Sequence, residues 1–176
     1  MILMNSRKGI FTSLIFAGLI ASLMYACTVS YSMTGASIPE DAKTISVQYF
    51  PNRAQIVNPT LSSEFTEMLK DKFISQTKLE MISDGGDLSF SGEIEGYSTM
   101  PAAIRGDETA SLTRLTIKIK VIFVNEKDPE KNFETSFSHY EDFDADQSLD
   151  QVEGELIPQI LEKIIEDIFN RAVVNW

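Results

Sequence analysis

Residues 112–124 constrain this chain more than any other stretch, because their side chains alternate in kind from Arg114 to Val121. Leu115, Ile117, Ile119, Val121 and Phe123 fall on one side and Arg114, Thr116, Lys118 and Lys120 on the other. A period of two places alternate residues on opposite faces of a strand, so this segment requires a sheet with one face in a core and one in water. The opposite, mainly polar sheet face is then left to water or to a partner.

The other elements assemble around that strand. Residues 44–50 alternate Ile45, Val47 and Tyr49 against Thr44, Ser46 and Gln48, giving a strand that Pro51 ends. Asn58 and Pro59 suit a helix cap and first position, and Leu61, Phe65, Met68, Leu69 and Phe73 follow at helical spacing. Residues 78–82 form a short strand, and Ser83-Asp84-Gly85-Gly86-Asp87 reads as a turn joining antiparallel neighbours. In the strand 88–98, Leu88, Phe90, Gly92, Ile94 and Gly96 face one way and Ser89, Ser91, Glu93, Glu95 and Tyr97 the other, with the glycines allowing a bulge or a close backbone approach. Residues 99–110 read as a loop, Lys127-Asp128-Pro129 as a hairpin turn, and 133–140 as a strand with Phe133, Thr135, Phe137 and His139 on one face. A long helix starts at Ser148, with Gln151 in the capping-box position, and carries an apolar stripe from Leu149 to Ala172. Pro158 lies inside that helix and either kinks it or splits off its first two turns. The order β-α-β-β-β-β-α predicts an α+β fold: a mixed, mostly antiparallel sheet of four to five strands with both helices on one face. The first helix joins two parallel strands, and the rest form a meander.

The N-terminus has a separate role. Arg7 and Lys8 precede an uncharged stretch, 9–26, rich in Ile, Leu, Phe and Ala, and Leu23-Met24-Tyr25-Ala26-Cys27 looks like a bacterial lipoprotein cleavage site. A retained membrane anchor and an ordinary secretory signal are the alternatives. The reading divides the chain into a signal peptide at 1–26, a lipidated tether at 27–43 and one domain at 44–176. Cys27, the one cysteine in the chain, is then acylated, so no disulfide forms and the fold stands on its core. Loss of Arg7 and Lys8 takes Lys+Arg from 15 to 13 against 26 acidic residues, a net charge of about −13. That balance excludes nucleic acid as a partner and leaves the lipid, rather than charge, to hold the protein at a membrane.

Chemistry-bearing patterns are few. His139 has no free thiol or second histidine to work with, and no phosphate-binding glycine loop calls for a cofactor. Asp142, Asp144 and Asp146, with Glu153 at position twelve, have the spacing of a calcium loop, but Gln147 stands where that loop needs glycine. The alternative is a solvated acidic loop beside a helix N-terminus. Arg114, Lys118 and Lys120 are a candidate anion site or else the cationic half of ion pairs to Glu93 and Glu95 on a neighbouring strand. Arg105, beside Gly106 at a strand-end loop, is either a binding residue or a solvated arginine.

Several short stretches in order resemble the LptE family of lipopolysaccharide-assembly lipoproteins in its Bacteroidota-type form. They are Thr34-Gly-Ala-Ser-Ile-Pro39, Thr44-Ile-Ser-Val-Gln-Tyr-Phe-Pro51, Val57-Asn-Pro-Thr-Leu61, Gly92-Glu-Ile-Glu-Gly-Tyr97, Leu115-Thr-Ile-Lys-Ile-Lys-Val121, Asp167-Ile-Phe-Asn-Arg-Ala172 and the final Asn175-Trp176. The resemblance implies a non-enzymatic outer-membrane lipoprotein, facing the periplasm, that plugs and helps assemble the LptD β-barrel and assists lipopolysaccharide transport to the cell surface. It implies a lipopolysaccharide contact at Arg105, through Ile104-Arg105-Gly106 followed by Thr109-Ala110. A second basic residue of better-known members has no counterpart in the acidic stretch 142–150. A rival reading is a free-standing envelope lipoprotein that binds a small ligand or calcium through the loop 142–153.

Overall fold

The computed structural model describes residues 41–102 and 112–173. Five strands and two long helices appear in the expected order: β1 (Thr44–Val47), α1 (Leu61–Gln76), β2 (Glu80–Ile82), β3 (Leu88–Ala102), β4 (Leu112–Asn125), β5 (Phe133–Asp144) and α2 (Leu149–Val173). A single 3-10 turn, Pro129–Lys131, lies in the β4–β5 connection. The sheet order is β2-β1-β3-β4-β5. β1 is parallel to both β2 and β3, whereas β3, β4 and β5 form an antiparallel meander. Both helices pack on one face, giving the two-layer α+β arrangement that the alternation in β4 demands.

Between the layers lies a phenylalanine chain. Phe73 of α1 meets Phe90 of β3 at 4.8 Å and Phe169 of α2 at 5.2 Å, and Phe90 meets Phe123 of β4 at 4.7 Å. These offset contacts tie both helices to the centre of the sheet and add to the area each ring removes from water. The five inward residues of β4 are all buried, as are Leu61, Phe65, Leu69 and Phe73 of α1. Asn58 caps α1 as expected, although the helix begins at Leu61 and not at Pro59. Its Oδ1 accepts from the backbone N–H of Thr60 (3.0 Å) and Leu61 (3.1 Å). Gln151 completes its half of the capping box at α2 by accepting from the Ser148 N–H at 3.1 Å. α2 runs through Pro158 without splitting. The proline deprives only the Gly154 carbonyl of a partner, and Gly154 lies on the exposed side of the helix.

Several local expectations are corrected. The alternation of β1 stops at Val47: Tyr49, expected inside, is 61% exposed, and Phe50 is buried in its place. The segment gains a residue against β3, since Val47 pairs with Phe90 but Asn52 with Ile94, and the phase changes between them. Pro51 has no N–H but still accepts from the Ile94 N–H at 3.0 Å, the Phe50 N–H finds Thr66 Oγ1, and the Phe50 ring packs edge-on against Phe65 at 4.9 Å. Residues 83–87 are not a hairpin turn. Because β2 and β3 flank β1 and both run parallel to it, this short segment has to cross back over β1. A Cβ on Gly86 would lie 2.7 Å from the Ser46 nitrogen, which explains both the need for glycine and the burial of Ser46, expected to face water.

Tyr97, expected on the outer face, is buried opposite Ile117. The register slips between Ile94 and Gly96, leaving Glu95 as an extra residue, and every side chain beyond the bulge changes face. Gly92 permits the approach that precedes it: with φ at 152°, any Cβ there would overlap the Lys120 carbonyl oxygen. Finally, β3 continues to Ala102 and β5 to Asp144, so the first part of the expected 99–110 loop and the first part of the expected acidic loop are strand.

Candidate functional site

The outer face of the meander is where the candidate cations stand. Alternation sends Arg114, Thr116, Lys118 and Lys120 of β4 outward, flanked by outward residues of β3 and β5. No described element covers this face.

Arg114 lies opposite Asp142 in the register and forms a bidentate pair with it, Nε to Oδ1 at 2.7 Å and Nη2 to Oδ2 at 2.9 Å. The guanidinium lies 3.6 Å above the Tyr140 ring, on the next outward residue of β5. The planar fork matches the carboxylate and the flat cation matches the ring, an arrangement a lysine does not reproduce. The Asp142 hydrogen bond raises the Arg114 pKa above its ordinary value, and the reciprocal bond lowers that of Asp142.

Lys118 pairs with Glu95 at 3.0 Å. Glu95 is the extra residue of the bulge, and its carboxylate also accepts from Ser136 Oγ at 2.9 Å, so it reaches across β4 from β3 to β5. Hydrogen bonds from Lys118 and then Ser136 hold its pKa below the ordinary carboxylate value. Lys120 pairs with Glu134 of β5 and takes a raised pKa from it. The ion-pair alternative thus describes this structure, with one expected partner, Glu95, and two that the register of β5 supplies. An external anion at any of the three cations has to displace a carboxylate of the chain. That is hardest at the bidentate Arg114 and easiest at Lys118, whose side chain is 52% exposed.

Arg105 and Cys27 lie outside the described residues. Ala102 pairs with Leu112, so the connection that carries Arg105 leaves the sheet at the Arg114 end of this face.

The calcium spacing does not become a site. Asp142 points outward into its pair with Arg114, whereas Glu153 lies on the helix side, where it accepts from Tyr97 Oη at 2.9 Å and Asn58 Nδ2 at 3.2 Å. The sheet separates the two, and among the described residues no group of three or more His, Cys, Asp or Glu could hold a metal ion.

Two polar junctions went unread in the sequence. Tyr97, Glu153 and Asn58 join β3, the start of α2 and the cap of α1; burial, and then the Glu153 hydrogen bond, push the Tyr97 hydroxyl well above its usual pKa. The glycines around the bulge were the available signal, but locating a bulge fixes the face of Tyr97 only once the partner register is known. The second junction is Asp87. Its Oδ2 accepts from the Lys43 N–H (2.8 Å), the Thr44 N–H (3.0 Å) and Thr44 Oγ1 (3.0 Å), while Oδ1 pairs with Lys127 at 2.9 Å. These bonds hold the Asp87 carboxyl far below its ordinary 3.8.

His139, half-buried on the helix side of β5, has its Nε2 2.6 Å from Asp167 Oδ2 of α2. The adjoining cleft, about 540 Å³, is lined by His139, Glu162, Lys163, Glu166 and Asp167 and lies open to solvent. No serine, threonine or cysteine is among those lining residues.

Fold and surface together define a two-layer α+β module that presents a long, polar, ion-paired sheet face. The family described as LptE, Lipopolysaccharide-assembly, matches residues 42–172, which take in the entire sheet and all but the last residue of α2. The chain belongs to the LptE lipopolysaccharide-assembly family. No curated protein sequence matches it. Among solved structures, a hypothetical protein CT253 from Chlamydia trachomatis has the same fold at 11% identity and a TM-score of 0.53, over 76% of this chain and 99% of that one. Looser likenesses are the minor lipoprotein from Acinetobacter baumannii (9% identity, TM-score 0.48, 74% and 91% covered) and the rare lipoprotein B from Shewanella oneidensis (10%, 0.44, 73% and 90%).

Proposed function

We propose that this chain is a non-enzymatic, lipid-anchored lipoprotein of the outer membrane, facing the periplasm, that plugs and helps assemble an LptD-like β-barrel and assists lipopolysaccharide transport to the cell surface. The observation that carries the reading is the extent of the family match, which spans the folded domain rather than one motif of it. In this reading residues 1–26 are cleaved, Cys27 carries diacylglycerol and a further acyl chain such as palmitate, and 27–43 tether the domain to the bilayer. Two or more acyl chains give stable anchoring, at roughly 0.8 kcal/mol for each buried CH₂. The described residues contain no helix long and apolar enough to cross a membrane.

A plug needs a surface that tolerates the polar interior of a barrel, and the outer sheet face has one. Arg105 is the proposed lipopolysaccharide contact, at the end of the β3–β4 hairpin. Arg114, Lys118 and Lys120 reach lipid phosphate only by exchanging a carboxylate for it. The acidic charge of the domain repels lipid A phosphates, so Arg105 acts locally against the overall field or with bridging cations.

The test is affinity purification of the tagged full-length lipoprotein and of its Arg105→Asp variant from native membranes in mild detergent. The expected result is a barrel recovered with both forms and lipopolysaccharide lost only from the variant. Repeated recovery without any barrel would overturn the plug reading; equal lipopolysaccharide with both forms would remove Arg105 from the contact.

A further inference from the structure

The two edges of the sheet differ in length and in what guards them. β2 closes one side with 3 residues and β5 closes the other with 12. A long edge presents a row of unpaired backbone N–H and C=O groups, which proteins blunt by shortness, lysine, proline or a bulge. β5 contains no lysine, arginine or proline, and its ladder with β4 runs from Phe133 to Asp144 without a register shift. No described element pairs with its other side. We infer that the β5 edge is a docking site for an extended, basic segment of another polypeptide, which adds to the sheet as a further strand beside α2. The site is separate from the plug reading above and does not rest on it.

The helix side of this edge is unfinished. The inward residues of β4 are buried, whereas Phe133, Thr135, Phe137 and His139 of β5 are only half-buried. Beside them, between β5 and α2, lies an open groove in two parts of about 380 and 540 Å³ that share Asp167. Phe137 and Arg171 line the first part, His139 and Glu162 the second. A strand added to β5 sends every second side chain over this groove, where the Phe133 and Phe137 rings, 6.2 Å apart, offer apolar contact. Main-chain hydrogen bonds along the edge supply affinity, and the groove selects the alternate side chains.

Charge selects the occupant. The central stretch from Thr135 to Tyr140 has no carboxylate, lysine or arginine, so nothing there opposes pairing, while Glu134, Glu141, Asp142 and Asp144 stand towards the ends. Glu134, Glu141 and Asp142 already hold Lys120, Lys163 and Arg114. Asp144, and Glu162 across the groove, make no ion pair among the described residues, and basic side chains on the added strand meet them. A second copy is the wrong partner. Antiparallel pairing of β5 with itself about its central stretch sets Glu134 of one copy near Glu141 and Asp142 of the other, in chains of net charge −11.

The test uses the purified full-length lipoprotein in mild detergent and three short peptides as probes: valine alternating with lysine, the same peptide methylated at every backbone nitrogen, and valine alternating with glutamate. Binding is titrated, and hydrogen exchange of the β5 amides is followed with and without peptide. The expected result is that the valine–lysine peptide binds at least tenfold tighter than the other two and slows exchange at least tenfold at every second amide of β5. Thr135→Lys, which puts a cation on the groove side of the edge, should weaken that binding at least tenfold with the melting temperature unchanged, and Glu80→Lys on β2 should leave it within twofold. Equal binding of the methylated peptide, which keeps the charge but cannot pair, overturns the inference, as does binding without protection of β5 or no binding at all. So do β5 amides already protected in the chain alone. Protection lost on dilution then assigns the edge to a second copy, and protection that persists assigns it to another segment of the same chain.

Discussion

The two faces of β4 share a backbone, a length and a period, yet they differ in what they do for the fold. Its inner face, Leu115 to Phe123, is almost wholly excluded from water and packs against both helices through the phenylalanine chain. Its outer face holds three cross-strand ion pairs, each largely in contact with solvent. Burying one large apolar side chain is worth ~1.5–3 kcal/mol, whereas an exposed ion pair contributes ~0–1 kcal/mol. Stability therefore resides on one side of the sheet, and the other side is free to be shaped by a partner.

The sharpest way to break this asymmetry is to attack the inner face. Phe90→Ala removes the ring that Phe73 and Phe123 both touch and should cost ~3–5 kcal/mol in urea unfolding. A smaller loss is expected at the buried polar junction: Tyr97→Phe removes the hydroxyl donor to the Glu153 carboxylate and should cost ~1–3 kcal/mol by the same measurement.

Asp87 supplies the pH dependence. Its carboxyl titrates lower in the folded than in the unfolded chain, so its contribution is complete above the unfolded value near 3.8 and disappears as the pH falls through the folded one. Asp87→Asn should therefore melt below the wild type at pH 7, and the gap between the two should narrow as the pH is taken from 4 towards 2. A gap that stays constant would show that Asp87 acts by shape and not by charge. Least affected of all should be Lys118→Ala, which breaks an exposed pair and should change unfolding by less than ~1 kcal/mol.

What the sequence made legible follows the same division. β4 and α2 were readable because their burial repeats at the period of the element itself, and one wrong neighbour changes nothing. β1 was not, since Ser46 is covered by residues forty positions away and Phe50 replaces Tyr49 only because an extra residue enters between the Val47–Phe90 and Asn52–Ile94 pairings. The outward direction of Arg114, Lys118 and Lys120 could be read from alternation. Two of their partners could not, because Glu134 and Asp142 come into place only through the β4–β5 register. Asp142, Asp144 and Asp146 looked like a loop by composition, but Phe143 between the first two keeps the inward phase of β5, and that signal was outweighed by charge. Cys27 and Arg105 rest on resemblance alone and lie outside the described residues.

The central claim, that stability resides on the inner face of the sheet and the outer face is spared from folding, is tested most directly by Ser91→Lys, Thr116→Lys and Ser138→Lys combined in one full-length chain. Its melting temperature is measured side by side with those of the wild type and of Phe90→Ala. The account predicts a melting temperature within about 5 °C of the wild type, as for changes of about 1 kcal/mol in total, and a far larger fall for Phe90→Ala. A triple variant that melts as far below the wild type as Phe90→Ala would contradict it.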